Sequence, residues 1–148
     1  MEPRVYKALM GIVGPLNVCE DESLMAQYGS DATKLFFKPD LVLFPSHSKE
    51  VAEVLKLANV HRFPVIPRGA GTGMSGGALP VSGGVVLEFG KMNRILDMDP
   101  KDGLCEVEPG AKTHEVQMEA KKLGLYYPPD PASAKESTIG GNIAECAG

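Results

Sequence analysis

The stretch Pro67-Arg68-Gly69-Ala70-Gly71-Thr72-Gly73-Met74-Ser75-Gly76-Gly77 decides how this chain is read. It directly follows Phe63-Pro64-Val65-Ile66, a short apolar run of strand type. Glycine goes where backbone must turn sharply or approach a ligand closely, and consecutive small residues leave their N–H groups uncovered by side chains. Such a loop forms a concave nest suited to a diphosphate. Thr72 and Ser75 add hydroxyl donors, while Arg68 either pairs with an anion or braces the loop from behind.

Within the loop, Gly71-x-Gly73-x-x-Gly76 matches the dinucleotide fingerprint of the Rossmann fold, which requires a helix to begin inside it. The chain continues instead as Gly77-Ala78-Leu79-Pro80-Val81-Ser82-Gly83-Gly84, where Pro80 and the paired glycines break a helix. That reading fails on its context. A surface loop with no ligand is the other alternative, and against it stands the entropy of leaving so long a segment unordered between core strands.

Upstream, Asp40-Leu41-Val42-Leu43-Phe44-Pro45 reads as a strand buried on both faces. Ser46 or Ser48 is expected to cap a helix with Glu50 in its first turn and a buried stripe of Val51, Val54, Leu55 and Ala58. The strand beginning at Phe63 completes a βαβ unit, whose two strands are expected to be parallel neighbours. Downstream, Gly84 to Phe89 is a third strand. Arg94 to Asp99 and Leu104 to Glu108 form a hairpin joined through Pro100-Lys101-Asp102-Gly103, with Cys105 and Val107 facing away from Glu106 and Glu108. Thr113 is expected to cap a helix with Val116, Ala120 and Leu123 on one face and Gly124 as its stop. Residues 1–38 read as a helical lead-in broken at Gly11 and at Gly14-Pro15, and residues 39–148 as the ligand-binding domain.

A second unusual stretch is Tyr126-Tyr127-Pro128-Pro129-Asp130-Pro131-Ala132-Ser133, followed closely by Ser137-Thr138-Ile139-Gly140-Gly141-Asn142-Ile143-Ala144. Its prolines fix an extended backbone, and Thr138, Gly140 and Gly141 repeat the small, donor-rich chemistry of the first loop. The two stretches together suit a clamp on one ligand. A tight turn leading into a helix capped by Thr138 or Asn142 is the structural alternative.

A net charge of −4 over 148 residues offers no basic patch for nucleic acid. No apolar run approaches the roughly 18 residues needed to span a bilayer, and Met-Glu-Pro-Arg lacks the layout of a signal peptide, so the expected location is the cytoplasm. Cys19, Cys105 and Cys146 are odd in number and widely spaced, which points to reduced thiols, with Cys105 and Cys146 expected as small buried hydrophobes. His47, His61 and His114 share no spacing of metal ligands, and the hairpin acids Asp97, Asp99, Asp102, Glu106 and Glu108 read as a solvated face. No metal is assigned.

Taken jointly, residues 67–77, Pro-Asp-Pro-x-Ser at 129–133 and Thr-Ile-Gly-Gly-Asn-Ile-Ala at 138–144 resemble the FAD-binding domain of the vanillyl-alcohol oxidase and p-cresol methylhydroxylase superfamily. Within it, the likeness is to glycolate oxidase D subunits and FAD-linked D-lactate dehydrogenases, and it extends over roughly residues 28–148. The resemblance implies an α+β fold, a small parallel βαβ subdomain followed by an antiparallel α+β subdomain, with FAD bound between them. Residues Pro67 to Gly76 inherit the pyrophosphate site, and Pro129, Asp130, Ser133, Ser137, Thr138, Gly140, Gly141, Asn142 and Ala144 the flavin and ribityl end. Members that attach FAD covalently carry a histidine where Thr72 stands, which implies non-covalent FAD here. The implied reaction is hydride removal from a small 2-hydroxy acid, glycolate or D-lactate, with reoxidation by an electron acceptor or partner subunit, through which the protein could sit at a membrane surface. Substrate groups and the catalytic base are implied to come from a later cap domain. The alternative is an FAD-holding module without catalysis of its own, and an FAD-containing reductase of cell-wall precursor synthesis is a third reading.

Overall fold

The computed structural model describes residues 1–147. Its elements in chain order are α1 (Pro3–Val13), β1 (Val18–Cys19), α2 (Glu22–Gln27), β2 (Leu41–Leu43), α3 (Ser48–His61), β3 (Val65–Arg68), β4 (Val85–Glu88), β5 (Ile95–Asp99), β6 (Leu104–Val107), α4 (Thr113–Lys122) and α5 (Ile139–Glu145). Strands β1 to β4 form one sheet in the order β1-β2-β4-β3, and β5 and β6 form a separate antiparallel pair. A small parallel part thus precedes an antiparallel part, as the α+β reading expects.

One detail of topology differs. Strands β2 and β3 are parallel but not neighbours, because β4 lies between them and pairs with both. Burial explains the insertion. Val85, Val86 and Leu87 are at most 1% exposed, as a strand covered on both faces and paired on both edges requires. Pro67 lies in β3 and has no N–H to give a ladder, which suits β3 to the sheet edge.

Side-chain alternation divides the core between the two faces of the sheet. Leu41, Leu43, Val85 and Leu87 pack against Val5, Leu9 and Val13 of α1 and Val54 of α3. Val42, Val86 and Ile66 point the other way, onto Met25 of α2. The lead-in therefore contributes to both faces, and its short strand β1, absent from the sequence reading, pairs antiparallel with β2. Helix α1 runs through Gly11 and ends only at Gly14, whose φ of +83° suits a residue without Cβ. A third cluster, Ala111, Val116 and Ile139 with Ile95, Met98 and Val107, holds the hairpin against α4 and α5.

Several local expectations are corrected. Helix α3 has His47 at its N-cap, and neither Ser46 nor Ser48 caps it. The Glu50 carboxylate instead accepts the N–H of Ser46, the residue before the N-cap, at 2.6 Å. Lys112, not Thr113, is the N-cap of α4, and Thr113 is fully buried. Leu55 and Leu123 are 45% and 48% exposed and leave the buried stripes, where Leu57 joins Val51 and Val54 on α3. Cys105 and Cys146 are exposed.

Glu108 is buried, not solvated. Its carboxylate accepts from Nη2 and Nε of Arg94 at 2.8 and 3.1 Å and from the Arg94 N–H at 2.9 Å, a forked, charge-assisted arrangement. The Arg94 side chain, then its backbone N–H, lowers the Glu108 pKa from the ordinary 4.5 to about 2. A carboxylate with a depressed folded-state pKa stabilises the fold fully above its unfolded value, and that contribution is lost as pH falls through the folded one. In Glu108→Gln, the thermal midpoint is expected to lie below wild type at neutral pH, with the gap closing between about pH 4.5 and about pH 2. Thermal melts across that range check it, and a gap independent of pH would exclude the ion pair as its cause.

Candidate functional site

The glycine loop leaves the edge strand β3 and returns to β4 without forming a helix, so the Rossmann context is missing in the structure as well. Opposite it, Thr138 begins α5, its Oγ1 accepting the Gly141 N–H at 3.3 Å. The turn into a helix read as the structural alternative is therefore present. Both stretches line one cleft of about 230 Å³.

Of the residues singled out in the sequence, Pro67 to Gly73, Ser133, Ser137, Thr138, Gly140, Gly141, Asn142 and Ala144 line this cleft. Met74, Ser75, Gly76, Pro129 and Asp130 do not border it. The Met74 side chain is largely solvent-exposed, and the Ser75 hydroxyl bonds to the Glu145 carboxylate, joining the loop to the end of α5. Pro129 and Asp130 are tied to α4, where Gln117 Nε2 donates to the Pro129 carbonyl at 3.0 Å and to Asp130 Oδ1 at 3.3 Å.

The glycines have distinct uses. A Cβ at Gly69 would strike Thr138 Oγ1, and one at Gly140 would lie 2.9 Å from the Pro109 carbonyl oxygen, so these two let the clamp halves and α5 approach each other. Gly71 has φ of +69° and a Cβ there would strike the Arg68 guanidinium. At Gly73 a Cβ would meet nothing within 4 Å. The backbone N–H groups from Ala70 to Ser75 donate to no backbone acceptor among the described residues, which leaves them available to a ligand.

Arg68 is 6% exposed and takes the bracing role. Its Nη2 donates to the Gln27 carbonyl at 3.3 Å, and its Nη1 to the carbonyls of Tyr28 and Ala78 at 3.4 and 3.5 Å. The guanidinium also stacks 5.8 Å from the Tyr28 ring centroid. Burial pulls its pKa down, opposed by the charges of Asp31 and Glu88. Burial likewise pushes the Glu88 carboxyl up.

Residues 39–148 match the family described as FAD binding domain. The chain belongs to that family. Its cofactor is FAD. The chain is 40% identical over 145 residues to the glycolate oxidase subunit GlcD of Bacillus subtilis strain 168, covering 97% of this chain and 31% of that protein. It is 38% identical to the D-2-hydroxyglutarate dehydrogenase of Stutzerimonas stutzeri strain A1501, covering 99% of this chain and 32% of the relative. The chain thus spans about a third of the length of these relatives. A solved structure of p-cresol methylhydroxylase with substrate bound superimposes with a TM-score of 0.83 at 22% identity, over 97% of this chain and 29% of the other, a likeness of fold.

The residues of the FAD-binding domain fit the cofactor. A loop with uncovered N–H groups suits its diphosphate, and the side chains of Ser137, Thr138 and Asn142 are at most 8% exposed and held in order. Thr113 holds two of them: its Oγ1 lies 2.8 Å from Ser137 Oγ and accepts from Asn142 Nδ2 at 2.7 Å. Sequence reasoning took Thr113 for a cap and so missed this role. It also missed Asp31, Ala78, Phe89, Pro109, Glu145 and Ala147 in the cleft wall. Glu145 follows the second motif by one residue and was within reach of the pattern, but nothing in the spacing ties Asp31 to a loop that begins 36 positions later.

Proposed function

We propose that this chain is the FAD-holding part of a flavin-dependent oxidoreductase that converts a 2-hydroxy acid to the 2-oxo acid. The observation that carries the reading is the run Ala70 to Gly73, whose N–H groups donate to no backbone acceptor among the described residues, lining one cleft together with Thr138, Gly140, Gly141 and Asn142. In this reading the loop from Gly69 to Gly73 holds the pyrophosphate, and Ser133, Ser137 and the Thr138 to Ala144 segment hold the flavin and ribityl end. The cofactor is held non-covalently, with Thr72 at the place of the linking histidine. When bound, the flavin supplies a hydride acceptor for the carbon bearing the substrate hydroxyl. The chain's own residues bind and orient the cofactor through preorganised donors.

The relatives' names point to glycolate and D-2-hydroxyglutarate as the substrate class, and the sequence resemblance adds D-lactate. In this reading the catalytic base comes from the rest of a longer protein or from a partner. A second reading is an FAD-holding module that needs another polypeptide for turnover.

The test is the visible spectrum after mixing with FAD and desalting, followed by anaerobic titration with glycolate, D-lactate and D-2-hydroxyglutarate. Retained flavin bands are expected. Bleaching by one of the acids would place the reaction in these residues, whereas retained bands that do not bleach would favour the holding module. Flavin lost on desalting would overturn the proposed site.

A further inference from the structure

Asp31 lies between α2 and β2, in the lead-in, and belongs to no motif of the glycine stretches. Its Oδ1 accepts from the Thr33 N–H at 2.9 Å and from the Thr33 hydroxyl at 2.5 Å, so the carboxylate is held in one orientation. Its Oδ2 is buried and, among the described residues, has no hydrogen-bond partner, the one such side-chain atom found. Asp31 also lines the cleft to which Arg68, Gly69 and Gly71 contribute. The nearby Arg68 guanidinium attracts it electrostatically, but the Arg68 hydrogen bonds go to the carbonyls of Gln27, Tyr28 and Ala78.

A buried carboxylate oxygen without a donor is costly, and in folded proteins such an atom is satisfied by an ordered water, an ion or a bound ligand. Asp31 bears a negative charge at an anion-binding cleft, so it does not serve the phosphates. It calls for a neutral donor next to them. In a dinucleotide that donor is a sugar hydroxyl, the group for which carboxylates serve as acceptors at other nucleotide sites.

Resting on the FAD reading above, we propose that Asp31 Oδ2 accepts a hydrogen bond from a sugar hydroxyl of the bound cofactor, on the adenosine ribose or the ribityl chain. The glycine loop reads charge and Asp31 reads the hydroxyl beside it. The lead-in thereby takes part in cofactor selection as well as in the core.

Asp31→Asn keeps an oxygen for the Thr33 turn and replaces the acceptor with a donor. Asp31→Ser retains a shorter capping oxygen without charge and serves if the first variant does not fold. Affinities for FAD, ADP, FMN and inorganic pyrophosphate are measured by titration calorimetry on the 148-residue chain, with thermal melting of each ligand-free protein. FAD affinity is expected to fall about tenfold to hundredfold, the loss of one hydrogen bond to a charged group, with pyrophosphate affinity and the melting midpoint preserved. A loss shared by ADP but not FMN assigns the adenosine ribose, and the reverse assigns the ribityl chain. Unchanged FAD affinity overturns the inference, as does an equal loss for pyrophosphate accompanied by a lower midpoint, which would make Asp31 a brace for Arg68. A wild-type chain that binds no FAD would overturn the parent reading and this inference together, whereas wild-type binding that survives the substitution overturns only the latter.

Discussion

Replacing Gly73 by valine is expected to abolish FAD retention while leaving the melting temperature of the protein unchanged. The two effects separate because of where Gly73 sits. It lines the cleft, lacks a positive φ, and a Cβ there meets no protein atom within 4 Å, so the fold has room for a side chain. A ligand lying on the loop would not have that room. Valine would hold the diphosphate away from the N–H groups of the nest, and losing two hydrogen bonds to a charged group, at about 1.5 kcal/mol or more each, corresponds to an affinity loss of about 100-fold. Gly71→Val is the contrasting variant. There φ is +69° and the added carbon strikes the Arg68 guanidinium, so binding and stability should fall together. Fluorescence titration of FAD alongside thermal melts reads both, and normal affinity in Gly73→Val would sink the assignment of the loop to the pyrophosphate.

That contrast also marks what was legible in the sequence. Gly71 and Gly73 look alike in a string of small residues, yet one glycine accommodates a buried arginine and the other keeps a surface open. Nothing local distinguishes them, because the difference lies in where the side chain of Arg68 goes. The strands and long helices were readable, since alternation and helical spacing follow directly from which face is buried. Strand order was not. The pattern of Leu41 to Leu43, Val65 to Arg68 and Val85 to Glu88 predicts three buried strands, but which one is central depends on pairing across the glycine loop. Caps were misread for a related reason. Thr113 and Ser48 have the chemistry of N-caps, and tertiary contacts put Thr113 to another use, in a buried network with Ser137 and Asn142 that bears directly on the site. Glu108 was read as solvated because alternation along β6 gives it no sign of its partner Arg94, which lies just before β5.

Replacing Arg68 by alanine is expected to lower the melting temperature by about 10 °C and to weaken FAD binding as a consequence. The side chain joins three segments distant in sequence: the end of α2 through Gln27 and Tyr28, the edge strand β3 that carries it, and the end of the glycine loop through Ala78. At 3.3 to 3.5 Å these hydrogen bonds are long, so no single one contributes much. Their joint loss is larger, because it leaves three carbonyls underused, a cavity beside Tyr28, and the carboxylates of Asp31 and Glu88 without their cation. Together these cost about 3 kcal/mol, which for a domain of this size corresponds to a shift of about 10 °C. Arg68→Lys should recover part of the stability, since the ammonium restores the charge but cannot reach three carbonyls with a planar fork. The opposite pattern would carry equal weight. If Arg68→Ala lost pyrophosphate affinity with its melting temperature unchanged, the guanidinium would be a ligand to the anion, and the loop would owe its shape to its glycines alone.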